Sequence, residues 1–183
     1  MRVIAGSAKG QRLKPVPGTL TRPITDRVKE SLFNILAPRV EGSRFLDLFA
    51  GTGSVGIEAL SRGAEHAVFV ERYGLAITII RQNLAATGLV AGATVLKQDV
   101  FEFIESAVEA PFDLIYVAPP QYQNLWDRTL LALDSRPELI TEEGSVIVQI
   151  WPKEEEPLEL DHLVEGDSRQ YGSTRLLFFD KQI

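Results

Sequence analysis

In the stretch Phe45-Leu46-Asp47-Leu48-Phe49-Ala50-Gly51-Thr52-Gly53-Ser54-Val55-Gly56, an apolar run carrying a carboxylate leads into a glycine turn and then a helix start. Such a turn lets backbone N–H groups approach a ligand closely, and the helix start adds partial positive charge. Gly51, Gly53 and Gly56 have the spacing of a dinucleotide fingerprint, and Glu71 follows Gly51 by twenty positions, where a ribose-binding acid belongs. Asp47 separates two chemistries. It stands four residues before Gly51, and a fixed negative charge there would repel a pyrophosphate lying over the turn. The sulfonium and ammonium groups of S-adenosylmethionine are better served by an acidic strand end. The turn therefore reads as a methyl-donor site, with hydride transfer from a nicotinamide as the alternative.

Ligands of an open parallel sheet bind beyond the carboxyl ends of its strands, so the other polar strand ends belong to the same inventory. The first strand contributes Asp47, Phe49, Gly51 and Gly53, and the second ends in Glu71, an acceptor for ribose hydroxyls. The third ends in Gln98-Asp99, placed to meet an adenine amine, although an acid after a strand equally often caps the next helix. The fourth ends in Ala118-Pro119-Pro120-Gln121-Tyr122. Prolines stiffen that segment and leave carbonyls to accept an exocyclic amine, while Tyr122 can stack a flat base. The plain alternative is a Pro-Pro turn beside an ordinary half-buried tyrosine.

These residues need elements to hold them. Strands are predicted at 45–49, 67–71, 94–98, 112–117 and 145–151, with helices at 54–62, 75–87, 101–109 and 125–134 between them. This alternation predicts an α/β fold, a mostly parallel twisted sheet with helices on both faces. Further strands at 160–164 and 175–180, around Gly172-Ser173, are spaced for antiparallel pairing at one end of the sheet. A leading helix starts at Thr25 or Asp26 and is expected to stop at Pro38. Ahead of it, pieces at 2–5 and 11–16 are expected to pair as a hairpin. The expected division is one domain over 1–183, with a basic extension at 1–24, the leading helix at 25–38 and the core at 44–183.

Composition narrows the rest. The chain has 183 residues and no cysteine, which excludes disulfides and thiolate metal sites and suits a cytoplasmic setting. No apolar run reaches the ~18 residues of a membrane span, and neither His66 nor His162 has partners at metal-ligand spacing, so neither membrane nor metal is expected. The net charge of −6 is unevenly spread: residues 1–44 hold nine Lys/Arg against three acids, leaving −12 for the remainder. A basic, Gly/Pro-rich arm bearing Lys9, Arg12, Lys14 and Arg22 is suited to contact phosphates, or is simply a solvated terminus.

Two segments together carry a family resemblance. Arg22-Pro23-x-Thr25-Asp26-Arg27-Val28-Lys29-Glu30-x-Leu32-Phe33, followed by the motif from Asp47 through Gly63-Ala64, resembles the bacterial 16S rRNA (guanine-N2)-methyltransferases of the RsmD type. The resemblance spans nearly the whole chain. It implies a Rossmann-like class I S-adenosylmethionine-dependent methyltransferase fold, and methyl transfer to the exocyclic N2 of a guanine in 16S rRNA. The implied substrate is the small ribosomal subunit or an assembly intermediate. It also implies that Asp47, Gly51 and Gly53 face the methionine part of the cofactor, Glu71 the ribose and Asp99 the adenine, with Arg27 near the cofactor carboxylate.

The chain departs from that pattern at its fourth strand. The family usually carries Asp-Pro-Pro followed directly by Phe or Tyr, whereas here Ala118 replaces the acid and Gln121 displaces Tyr122 by one position. Losing a charge-assisted hydrogen bond to the target amine costs ~1.5–3 kcal/mol, or roughly one to two decades in rate. An altered acceptor is the expectation, and a non-catalytic RNA-binding or assembly factor on the same fold is the alternative.

Overall fold

The apolar runs form five parallel strands, and the long connections between them are helices. In the computed structural model, which describes residues 1–18, 23–120 and 123–182, these strands are β1 (Arg44–Leu48), β2 (His66–Glu71), β3 (Ala93–Lys97), β4 (Phe112–Val117) and β5 (Ile140–Ile150). The helices are α1 (Asp26–Val40), α2 (Ser54–Ser61), α3 (Gly74–Thr87), α4 (Val100–Ser106) and α5 (Leu125–Asp134), and β6 (Leu163–Tyr171) and β7 (Thr174–Lys181) close the chain. The sheet order is β3-β2-β1-β4-β5-β7-β6. β7 pairs antiparallel with β5 and with β6, which supplies the expected antiparallel end. The chain leaves β1 toward β2 on one side and returns to β4 on the other, so the topological switch lies between β1 and β4.

Strand alternation divides the core between the two faces. Phe45, Phe69, Leu114, Tyr116, Ile147 and Phe178 point to the face covered by α1, α2 and α3. Leu46, Val68, Ile115, Val117, Val148 and Phe179 point to the face covered by α4 and α5. Gly56 lets α2 lie flat on β2, because a Cβ there would meet the Phe69 ring at 2.4 Å.

Several boundaries differ from the sequence reading. Pro38 does not stop α1, which continues to Val40. Proline removes one N–H near the helix end, and tertiary contacts hold the last turn: Val40 is buried, and Arg39 donates to Ser145 Oγ (2.7 Å) and to the Glu143 carbonyl. β5 begins at Ile140 rather than 145, with a register irregularity on β4 between Phe112 and Leu114 accommodating the polar Thr141-Glu142-Glu143. α4 ends at Ser106 instead of 109. β6 occupies 163–171 rather than 160–164. Its polar stretch from Glu165 to Gln170 hid it from a reading based on apolar runs, since an edge strand need not bury both faces.

The N-terminal segment is docked on the α1–α3 face. Its hairpin is reduced to one antiparallel bridge, Arg2 with Arg12, flanked by Val3 N donating to Gln11 O (2.9 Å) and Gly10 N to Val3 O (2.8 Å). Val3, Ala8 and Leu13 are buried in the core, and Val16 packs with Ala76 and Ile79 of α3. Beneath it lies a buried ion pair, Lys29 Nζ to Glu58 Oε2 at 3.5 Å, with both side chains wholly inaccessible. Glu58 also accepts from Ile4 N (2.8 Å), Ala5 N (3.0 Å) and Arg62 Nε (2.8 Å), and Lys29 donates to Arg2 O (2.7 Å) and Ser54 Oγ (2.8 Å). Burial pulls the Lys29 ammonium below its ordinary value, and Glu58 opposes that pull.

Candidate functional site

The turn after β1 is built from backbone conformations that most side chains avoid. Phe49 has φ +61°, and Gly51 and Gly53 have φ +56° and +75°. A non-glycine residue held there marks a position that the surrounding structure over-determines. Two neighbours impose it. Ala50 N donates to Val70 O (3.1 Å), while Gly51 N donates to Glu71 Oε2 (2.9 Å). Glu71 Oε1 accepts from Tyr73 N (2.9 Å), so this one carboxylate ties the turn to the start of α3. Glu71 is half-buried at the carboxyl edge of the sheet.

Asp47 lies behind this turn. The residue is 2 % exposed, and its Oδ2 accepts from Gly56 N in the first turn of α2 (3.0 Å). Burial pushes its carboxyl up to about 8; the Gly56 N–H pulls against that rise and the nearby Glu71 adds to it. The side chain braces α2 from beneath the turn, in a setting that disfavours the fixed negative charge expected of it. Tyr116 stands opposite Asp47 in the sheet and donates to Gln149 Oε1 (2.5 Å). Burial, then the charge of Asp47, pushes its hydroxyl well above the usual tyrosine value.

The third strand end takes the capping role. Asp99 caps α4 through Oδ1, which accepts from Phe101 N (2.9 Å), and its Oδ2 stands 3.8 Å from Arg72 Nη1. Gln98 is half-buried beside it. On the other side of the switch, Ala118 N reaches Leu48 O at 3.5 Å as the last contact of the β1–β4 ladder. Pro119 and Pro120 follow, half-buried, at the same edge. Tyr122, expected to stack a base, and Arg22, expected on a phosphate, lie outside the described residues.

Arg27 is exposed on the first turn of α1. It lines a cavity of about 350 Å³ together with Thr25, Val28, Gln170, Tyr171 and Gly172. Lys9, Arg12 and Lys14 are exposed along the docked arm. Lys14 is tied into the site by Asn83 of α3, which accepts from Lys14 N (2.8 Å) and donates to Lys14 O (3.1 Å) and to Thr52 O (3.0 Å). The basic arm and the glycine turn thus share one buried amide. Asn83, Lys29 and Glu58 escaped the sequence reading, although each is a polar residue within an apolar helical stripe (Ile80-x-x-Asn83-Leu84, Val28-Lys29, Ile57-Glu58). That pattern is the signal that could have found them.

Polar groups thus gather along one sheet edge, with Glu71 and Asp99 toward β2 and β3 and Ala118, Pro119 and Pro120 after β4. Known proteins resemble this chain over most of its length. Residues 1–180 match the family model described as "Conserved hypothetical protein 95". The chain is 41% identical over 184 residues to the Bacillus subtilis protein named "Putative rRNA methyltransferase YlbH", covering 100% of both chains. It is 38% identical over 136 residues to "Ribosomal RNA small subunit methyltransferase D" of Escherichia coli strain K12, covering 73% of this chain and 67% of that one. The solved structure titled "Putative methyltransferase yhhF from Escherichia coli" superposes with a TM-score of 0.86 at 29% identity, covering 100% of this chain and 98% of the other. With a match over almost its whole length and a relative 41% identical across both chains, the chain belongs to the RsmD-type methyltransferase family.

Proposed function

We propose that this protein is an S-adenosylmethionine-dependent rRNA methyltransferase that modifies the exocyclic N2 of a guanine in 16S rRNA, within the small subunit or an assembly intermediate. The observation that carries the reading is the strained Phe49–Gly53 turn held by Glu71 at the sheet's switch point. The residues there suit such a cofactor. Gly51 has no side chain to fill the space over the turn; the nearest atom to a Cβ would be Phe49 O at 3.9 Å. Glu71 and Asp99 supply acceptors for ribose hydroxyls and an adenine amine, and Phe49 and Gln98 flank them. Asp47 acts by holding the first turn of α2, so that Gly51 and Gly53 keep their backbone geometry. When bound, the cofactor supplies a sulfonium methyl group, an electrophile that needs a lone pair aligned behind it.

The chain's part in the reaction is then to position the acceptor. Ala118, Pro119 and Pro120 offer backbone carbonyls to the amine protons, and the prolines add no competing N–H donors. Tyr122 stacks the base. An amine need not lose its proton before attack, so alignment contributes much of the rate. Ala118 gives no carboxylate acceptor, which motivates a second reading as an RNA-binding assembly factor on the same fold. Incubating the protein with labelled S-adenosylmethionine and undermethylated small subunits separates the two. The proposal expects stoichiometric incorporation, mapped by mass to N2 of one guanine. It also expects Ala118→Asp to raise kcat by about ten- to a hundredfold, the worth of one charge-assisted hydrogen bond. Incorporation by Ala118→Asp with none by the natural chain would favour the assembly factor. The nicotinamide alternative predicts binding of NADH, and the proposal predicts binding of S-adenosylhomocysteine in its place.

A further inference from the structure

We propose that the cavity between the start of α1 and the β6–β7 turn is a nucleotide subsite. It takes a single-stranded RNA residue beside the target, with the base against Tyr171 and its phosphate on Arg27. The inference rests on the RNA methyltransferase reading and adds a site on the acceptor side of the cleft.

Topology places the cavity at the working edge. Ile150, the last residue of β5, pairs with Arg175 of β7, and Tyr171 pairs with Thr174 across the hairpin. The hairpin tip therefore projects beyond the carboxyl end of β5, on the same edge as the glycine turn and the Ala118–Pro120 loop. α1 is oriented to match. Arg39 near its carboxyl end bonds Ser145, which lies in β5 well before the carboxyl end, while Thr25, Arg27 and Val28 at its amino end wall the cavity with Gln170, Tyr171 and Gly172. Glu71 and Asp99 stand on the far side of the switch, at the ends of β2 and after β3. The cavity thus lies on the β5–β7 side, away from the proposed cofactor acceptors. None of Ala118, Pro119 or Pro120 lines it, so it receives a neighbour of the target base.

Its chemistry is that of a nucleotide pocket. At about 350 Å³ it falls within the range of small-molecule sites. The Tyr171 ring is half-buried and packs on the same core cluster as Ala118, so it offers a rigid stacking face. Gln170 Nε2 donates to Gly172 O (3.3 Å), which holds the amide at the turn while its oxygen stays an acceptor. Arg27 supplies an exposed guanidinium for phosphate. The adjacent carboxylate, Asp26, stands 3.3 Å from Arg2 Nε and does not line the cavity.

The test combines binding and crosslinking. Tyr171→Ala should weaken binding to undermethylated small subunits, and raise KM for them, about tenfold. Tyr171→Phe should bind as the natural chain does. Affinity for S-adenosylhomocysteine, measured by calorimetry, should be unchanged in Tyr171→Ala. Irradiating the natural protein with subunits carrying 4-thiouridine-substituted 16S rRNA should crosslink the peptide containing Tyr171. Subunit binding unaltered in Tyr171→Ala, or no crosslink at that peptide, would overturn the subsite. A loss of S-adenosylhomocysteine affinity in Tyr171→Ala would assign the cavity to the cofactor, and overturn the subsite as well. Should Tyr171→Ala fail to fold, Tyr171→Leu, an apolar side chain with no stacking ring, takes its place beside the crosslink. A natural chain that crosslinks through Tyr171 yet transfers no methyl group would sink the methyltransferase reading while leaving the subsite standing.

Discussion

Asp47 is a titratable carboxyl buried directly beneath the glycine turn. Burial pushes its carboxyl up to about 8, against an ordinary value of 3.8. Between those values the folded chain retains a proton that the unfolded chain releases, so stability falls as pH rises through that window. The groups that face Asp47 are Gly56 N–H, Glu71 and Tyr116. Asp47→Asn keeps an oxygen acceptor for Gly56 and removes the titration. Urea denaturation from pH 5 to 9 should show the natural chain losing up to ~1.4 kcal/mol per pH unit relative to Asp47→Asn. Parallel curves would refute this account of the site. Residue type and spacing singled out Asp47, but its burial beneath the turn is a tertiary property that no linear pattern carries. Glu71, by contrast, was legible from its spacing after Gly51, and it does sit on the turn.

At the scale of elements, the N-terminal arm depends on one buried ion pair. Glu58 joins Lys29 of α1, Arg62 of α2 and the Ile4 and Ala5 amides of the arm. Removing one partner of such a pair leaves an uncompensated charge in the interior, at a cost of ~3–5 kcal/mol. Glu58→Gln should therefore lower unfolding stability by about that much, and the Ile4 and Ala5 amides should exchange with solvent faster than those of β1. Equal protection of those amides in the variant would show that the arm's other contacts, Asn83 and the apolar packing among them, hold it without the ion pair. The elements themselves were largely readable. The β1 to β5 pattern and the crossover helices follow from short apolar runs and helical stripes. Misplaced boundaries occurred where tertiary contacts override local preference, as at Pro38 in α1, or where a polar edge strand has no apolar run to announce it, as in β6.

Charge is segregated across the whole molecule. Exposed Lys9, Arg12 and Lys14 lie on the arm covering the α1–α3 face. Toward the α5 side, the groove of about 710 Å³ between Trp126 and the β6–β7 strands is bordered by Glu155, Glu156, Glu159 and Glu165. On the proposed function, this distribution steers RNA to the arm side and keeps it from the acidic side. Replacing Lys9, Arg12 and Lys14 together by Gln should weaken subunit binding at low salt. It should also reduce the slope of log K against log salt by about two, the counterion release expected of three contacts on single-stranded RNA. An unchanged slope would remove the arm from the phosphate interface. Among the described residues no helix is long and apolar enough to cross a membrane.

Read alone, the sequence determined the fold class, the glycine turn and the family, because strand periodicity, glycine spacing and motif order are local properties of the chain. It also pointed to Ala118 as the place to test for an altered acceptor. Only the tertiary structure decided that Asp47 is buried beneath α2, that Lys29 and Glu58 clamp the arm, and that Asn83 joins Lys14 to Thr52. It likewise brought Tyr171 beside Arg27 across 144 positions of sequence. Each of these depends on which faces meet, and on how much water their meeting excludes, which no linear pattern specifies.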